Sequence, residues 1–260
     1  MQKNLKFDII IKESGDRLQR YFVKNEAIIN DIVKIMGDDY FHITKVMRMK
    51  CSDNVIICNE DKSWLCSIKE ITNDSVYLKI LEEVEEKKEL PIEITIAQGI
   101  IRKEKMEEVI DKITQMGALY YIPIQMDRCN VKINSEKIDK KIERMNKIAK
   151  EAAEQSHRSK ILKVKYPIDF IDMIYLKNNY DLCLYAYENH MNTKTLKEVF
   201  SNRSYSKVII LVGPEGGISD KEAKILNENN FIAVSLGPRI LRTEVAPTYI
   251  LSAISYELEE

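Results

Sequence analysis

Val208-Ile209-Ile210-Leu211-Val212-Gly213-Pro214-Glu215-Gly216-Gly217-Ile218-Ser219 and Phe231-Ile232-Ala233-Val234-Ser235-Leu236-Gly237-Pro238-Arg239-Ile240-Leu241-Arg242-Thr243-Glu244 decide the fold. Each stretch is an apolar, β-branched run, then Gly-Pro, then a helix start, so each predicts a buried strand turning into a helix. The chain holds only eight glycines, and Gly213, Gly216, Gly217 and Gly237 are among them. Glycine lets a ligand approach bare main chain. At the carboxyl ends of parallel strands, that is where α/β proteins place ligands. The first turn lacks the Lys-Ser/Thr of a phosphate loop, and neither turn is Gly-x-Gly-x-x-Gly, so nucleoside triphosphates and ordinary dinucleotides are disfavoured.

Outward from these turns, strands and helices alternate. Ile92–Ala97 predicts a strand, and Glu104–Met116 a helix with Met106, Val109, Ile110 and Ile113 inward, closed by Gly117. Leu119–Ile124 predicts a strand holding Pro123. Ser135 is expected to cap a long helix to about Gln155, with Ile138, Ile142, Met145 and Ala149 or Ala152 inward. Asp181–Tyr187 predicts a strand, and Asn192 or Thr193 the start of a short helix through Phe200. Ser219-x-x-Glu222 is a capping box. Thr243 or its neighbour is expected to cap a final helix with Ile250, Leu251, Ile254 and Leu258 on one face. Such alternation argues a mainly parallel sheet covered on both sides.

Residues 1–82 read differently. Phe7–Ile11, Asn54–Cys58, Ser63–Ile71 and Ser75–Leu81 are short β-branched runs between polar turns, and Asp38–Met49 has helical spacing with Tyr40, Ile43, Val46 and Met47 on one face. Glu82-Glu83-Val84-Glu85-Glu86-Lys87-Lys88-Glu89 reads as a solvated linker. Two domains are therefore expected, 1–82 and 90–260.

The 260 residues carry a net charge of −1, with 45% apolar and 31% charged side chains, an ordinary globular balance. Nucleic-acid contact would have to come from local basic patches. Lys3, Lys6 and Asp8 argue against a signal peptide. The longest uncharged stretch, Ile113–Met126, falls short of the roughly 18–20 residues that span a bilayer. Five scattered cysteines without a Cys-x-x-Cys pair fit reduced thiols in a cytoplasmic protein better than zinc ligands or disulfides. No metal and no membrane partner are expected.

Gly213-Pro214-Glu215-Gly216-Gly217 followed by Leu236-Gly237-x-Arg239-Ile240-Leu241-Arg242-x-Glu244 resembles the small-subunit ribosomal RNA methyltransferase E family. Further matches are Arg17-Leu-Gln-Arg20-Tyr21-Phe22-Val23, His42-x-x-x-Val46-Met47-Arg48-Met49-Lys50-x-x-Asp53, and the run Glu151–Arg158. The resemblance implies a SPOUT-type knotted, parallel-sheet α/β methyltransferase domain preceded by a small PUA-like β-barrel that helps hold RNA. It implies methylation at N3 of a uridine in 16S rRNA of the small ribosomal subunit, S-adenosylmethionine as cofactor, and a homodimer. Carried onto this sequence, cofactor contacts fall on Glu188, Leu211, Gly213, Pro214, Glu215, Gly216 and Gly217. They continue through Leu236, Gly237, Ile240, Leu241, Arg242, Thr243 and Ala246. RNA contacts fall on Arg17, Arg20, Lys45, Arg48, Lys50, Arg128, Lys132 and Arg158. Ser52 stands where the family usually has Gly, and Val245 where it usually has Thr.

Chemically, loss of the uridine N3 proton spreads negative charge onto the ring carbonyls, which calls for a cationic donor. Arg242 is the leading candidate for that role, and equally a salt-bridge partner of Glu215 or Glu244. Glu244, expected in the first turn of a helix that favours its anion, reads as an orienting group. His42 reads as a structural, hydrogen-bonded histidine. Two other functions fit the same residues: a knotted methyltransferase acting on tRNA or on a ribose 2′-hydroxyl, and a non-catalytic RNA-binding ribosome-assembly factor.

Overall fold

The computed structural model describes residues 18–132, 137–188, 193–201 and 205–259. The expected strand at Phe7–Ile11, the Ser135 and Asn192 caps and Arg17 lie outside them. The chain divides into two compact units, Met1–Lys88 with Glu154–Lys160, and Glu89–Ala153 with Ile161–Glu260.

In the first unit, β1 (Arg20–Phe22), β2 (Ile28–Ile29), β3 (Ile32–Met36), β4 (Asn54–Cys58), β5 (Ser63–Ile71) and β6 (Ser75–Val84) form one sheet in the order β1-β4-β5-β6-β3-β2. Of the described pairings in this sheet, only β1–β4 is parallel. Strand alternation sets the core: Val33 and Ile35 of β3 point in, while Lys34 and Met36 point out. Val55, Ile57, Ile68, Val76 and Leu78 meet them from the other strands. β6 extends to Val84, so the acidic run begins as paired strand.

The expected helix Asp38–Met49 is only partly present. One turn of α-helix, α1 (Gly37–Phe41), passes into a π-helical turn, His42–Val46, closed by Met47 N–H donating to His42 O at 2.8 Å. A wider turn rotates the residues that follow it. Ile43 is buried as expected, but Val46 and Met47 are exposed.

The second unit is one sheet whose described pairings are all parallel. Its strands are β7 (Glu93–Gly99), β8 (Tyr120–Gln125), β9 (Lys163–Val164), β10 (Ile168–Asp169), β11 (Leu182–Ala186), β12 (Lys194–Thr195), β13 (Lys207–Val212) and β14 (Ile232–Ser235). They run β10-β8-β7-β13-β11-β14-β12, with β9 also on β8. One face is packed by α2 (Lys103–Gln115), α3 (Ile138–Gln155), α5 (Leu196–Phe200) and α7 (Ala246–Leu258). The other is packed by α4 (Phe170–Tyr175) and α6 (Asp220–Glu228). This is the doubly covered α/β sheet expected.

Local signals place most of these helices. Met106, Val109, Ile110 and Ile113 of α2 are all buried, and Gly117 follows at φ +96°. Both hydrogen bonds of the Ser219–Glu222 capping box are present. α5 is capped by Thr195 in a capping box with Glu198, two residues later than Thr193. α7 starts at Ala246 with Val245 as N-cap and no side-chain cap bond, so Thr243 does not cap it and Glu244 precedes the helix.

Candidate functional site

Because the strands are parallel, β11, β13 and β14 end on one edge of the sheet, and the loops after them converge there. They enclose a cavity of about 400 Å³, within the range of small-molecule sites. The loop after β13 is a tight turn in which Gly217 N–H donates to Pro214 O at 2.9 Å. A Cβ on Gly213 would lie 2.9 Å from Gly217 C and 3.0 Å from Ile218 N, so this glycine is required by the turn itself. In the loop after β14, Gly237 has φ +95°, and a Cβ there would meet nothing closer than the Tyr249 hydroxyl at 3.9 Å. Backbone conformation, not crowding, selects glycine at this position.

The lining includes every residue expected to touch a cofactor except Leu211 and Gly216. Leu211 is corrected: it is fully buried on the other face of β13, packed with the α4 and α6 side, and Val212 faces the cavity instead. Gly216 is exposed at the turn just outside this lining. Its Cβ position lies 2.9 Å from Arg128 Cβ, so it makes room for that side chain. Lys105, Tyr187, Ile218, Ser235 and Arg239 also line the cavity. Their signal in the sequence is slight, because Tyr187 and Ser235 are simply strand-end neighbours of expected residues and Lys105 comes from the distant α2.

Lys105, Glu188, Glu215, Arg239, Arg242 and Glu244 bring charge to the cavity. Lys105 Nζ lies 3.1 Å from Glu244 Oε1. Burial works against the Glu244 charge, but its own backbone N–H, the Lys105 ammonium and the Arg242 guanidinium hold the carboxyl below its ordinary value. Glu244 therefore stays a carboxylate, and its second oxygen, buried, has no hydrogen-bond partner. Arg239 and Arg242 are exposed. Neither makes a salt bridge among the described residues, and Arg242 acts on Glu244 only through its charge. Thr243 is buried, and its hydroxyl donates to Gly213 O at 2.7 Å.

The basic residues expected to meet RNA divide. Lys45, Arg48, Lys50 and Lys132 are exposed. Arg128 is also exposed, but its Nη1 donates to Gly216 O at 3.1 Å and Ile218 O at 3.3 Å, buttressing the first glycine loop. Arg20 and Arg158 are corrected: both are buried, at 3% and 2% exposure, and out of reach of a phosphate. Arg20 donates to Cys58 Sγ and pairs with Glu86. His42 has the structural role expected, its Nδ1 2.9 Å from the Tyr21 hydroxyl. Among the described residues no group of three or more His, Cys, Asp or Glu could hold a metal ion, and no helix is long and apolar enough to cross a membrane.

The RNA methyltransferase domain family matches residues 88–255, and the RNA methyltransferase PUA domain family matches residues 35–81. Fold, cavity and these matches together define a two-part RNA methyltransferase. The ribosomal RNA small subunit methyltransferase E of Bacillus subtilis is 38% identical over 93% of this chain and 98% of its own. That of Rickettsia conorii is 30% identical over 88% and 92%. The chain belongs to the ribosomal RNA small subunit methyltransferase E family. Among solved structures, a methyltransferase of Legionella pneumophila in complex with bound S-adenosylmethionine is 29% identical, covers 93% of this chain with 98% of its own, and superposes with a TM-score of 0.79.

Proposed function

We propose that this chain transfers the methyl group of S-adenosylmethionine to N3 of a specific uridine in 16S rRNA, acting in the cytoplasm. The observation that carries this reading is the cavity at the strand ends, where both glycine loops meet an exposed guanidinium, Arg242, that makes no salt bridge among the described residues. The residues fit the cofactor. Leu236, Ile240 and Leu241 offer apolar walls, main chain is accessible at Gly237, and the Glu188 and Glu215 carboxylates offer acceptors to a cationic ligand. The cofactor, when bound, supplies an electrophilic methyl group on a sulfonium.

The chain's own residues would do the rest. The glycine loops hold and orient the ligand through backbone groups. Arg242 stabilises the negative charge that builds on the uracil carbonyl oxygens as the N3 proton leaves. Glu244, already paired with Lys105 and held ionised, orients rather than takes that proton. Lys45, Arg48 and Lys50 of the first unit grip the RNA backbone.

The test uses the full chain, S-adenosylmethionine with a labelled methyl group, and small ribosomal subunits from cells lacking the gene. Nucleosides from the digested rRNA are separated and identified by mass. Label in N3-methyluridine is expected. Label in a 2′-O-methylated nucleoside, or label in tRNA from the same cells in a parallel reaction with none in the rRNA, overturns the proposed specificity; cofactor binding with no transfer to any RNA overturns the activity itself.

A further inference from the structure

β7 is apolar along Ile94, Ile96 and Ala97, yet the next residue is Gln98, fully buried near the end of the strand. A buried amide is tolerated only where its hydrogen bonds are made, and those of Gln98 lead straight to the site. Its Nε2 donates to Thr243 O at 2.8 Å and to Thr243 Oγ1 at 2.9 Å. The Thr243 hydroxyl passes its own hydrogen on to Gly213 O at 2.7 Å. On the far side the Tyr121 hydroxyl, also fully buried, donates to Gln98 Oε1 at 2.9 Å and so fixes which way the amide is turned. One chain of donors, Tyr121 to Gln98 to Thr243 to Gly213, thus ties β8 and β7 to the second glycine loop and that loop to the first.

The loop needs such a tie. Ile240 is 84% exposed, and Pro238, Arg239 and Arg242 are exposed around it. Apolar packing holds this part of the loop weakly. Thr243 is its buried point, and no side chain caps the helix that follows.

We infer that Gln98 is a positioning residue that, oriented by Tyr121, locks the Leu236–Glu244 loop through Thr243 and thereby sets the affinity for the cofactor. It touches no cavity surface and acts only through the loop. The cofactor part of this inference rests on the function proposed above; the loop-locking part does not.

Two full-chain variants test it, Gln98→Met, which keeps the shape and removes both donors, and Tyr121→Phe, which removes only the bond that orients the amide. S-adenosylmethionine affinity is measured by calorimetry. Loop order is measured separately, without cofactor, as the rate of tryptic cleavage after Arg239 and Arg242, mapped by mass. Gln98→Met is expected to weaken binding at least tenfold and speed cleavage at both arginines, with Tyr121→Phe showing a severalfold effect in the same direction. The KM for RNA should not change. A folded Gln98→Met with unchanged affinity and cleavage overturns the inference. Should that variant fail to fold, unchanged affinity and cleavage in Tyr121→Phe overturn it instead. Faster cleavage in the variants of a protein that binds no S-adenosylmethionine at all would leave the lock standing and overturn the function proposed for the site.

Discussion

Arg20 keeps its charge inside the first unit, where Nη1 donates to Cys58 Sγ at 3.0 Å and Nη2 pairs with Glu86. Burial pushes the Cys58 thiol up, and the neighbouring guanidinium only partly offsets this, so the sulfur acts as a neutral acceptor. Arg20→Ala would strand Glu86 and is expected to cost about 3 kcal/mol, read as a lower denaturant midpoint. The salt dependence of RNA binding by the folded fraction should stay the same; a flatter salt slope with full stability would return Arg20 to the RNA surface. Glu244 makes a pH-dependent contribution of opposite origin. Its folded pKa lies below the unfolded one, so its stabilisation is present above the ordinary glutamate value of about 4.3 and lost as pH falls through the folded value. Glu244→Gln should cost on the order of 1 kcal/mol at neutral pH, and the gap should close in acid. Denaturation at a series of pH values checks this, and a gap constant down to about pH 3 would dissolve the link to Lys105. Such pairs explain why sequence sorts basic residues poorly: an arginine's type does not say whether its partner is a phosphate or a buried carboxylate. Gln98 escapes a reading of sequence for a related reason, since its partner Thr243 is 145 positions away.

At the scale of elements, the turn between α1 and β4 holds the clearest departures. Ser52 adopts φ +78° where relatives are expected to carry Gly. Left-handed backbone costs a non-glycine residue roughly 1–2 kcal/mol, and glycine's extra unfolded-state freedom returns part of that. Ser52→Gly should therefore stabilise the first unit by about 0.5–1 kcal/mol in chemical denaturation, and no gain would mean that its side chain compensates. The π-helical turn just before it leaves Lys45 and Arg48 exposed beside Phe41 and Met47. Replacing both cations with Ala should weaken RNA binding and reduce the log–log salt slope by about 0.7–0.9 for each phosphate no longer neutralised, with cofactor affinity unchanged. An unaltered slope would place the grip on RNA elsewhere. Legibility follows the periodicity. Amphipathic α2 and the Ser219 capping box are plain in the sequence because one face is polar or one cap is local. β13 hides its faces, because a central parallel strand is buried on both sides and reads as an unbroken apolar run. Val208, Ile210 and Val212 therefore look no different from Ile209 and Leu211, although only the first set shares a face with the cavity. The face expected for Asp38–Met49 fails because a π-helical turn breaks the 3.6-residue period without any local sign in composition.

For the whole molecule, α7 is the decisive element. Ile250, Leu251 and Ile254 are fully buried against the sheet, as the sequence pattern requires. Yet Val245, Tyr249 and Tyr256 remain 44%, 40% and 71% exposed. Spacings of four and seven residues bring these three onto one narrow stripe of the helix, with Ser252 between them. A helix that needs only one apolar face to meet its own core here shows a second, and it leads directly from the exposed Ile240 loop at the cavity. We propose that this stripe pairs with the same stripe of a second copy about a two-fold axis, so that each α7 covers the other. Tyr256 stands at the end of the stripe farthest from the glycine loops, which makes it the cleanest probe. Tyr256→Asp would bury a carboxylate without a partner in an apolar contact, an arrangement that costs several kcal/mol. Sedimentation should then show a folded monomer in place of the wild-type dimer, with weakened S-adenosylmethionine binding because the loop ahead of α7 loses its cover. A wild-type protein that is monomeric and fully active at assay concentration would remove the second copy from the site altogether.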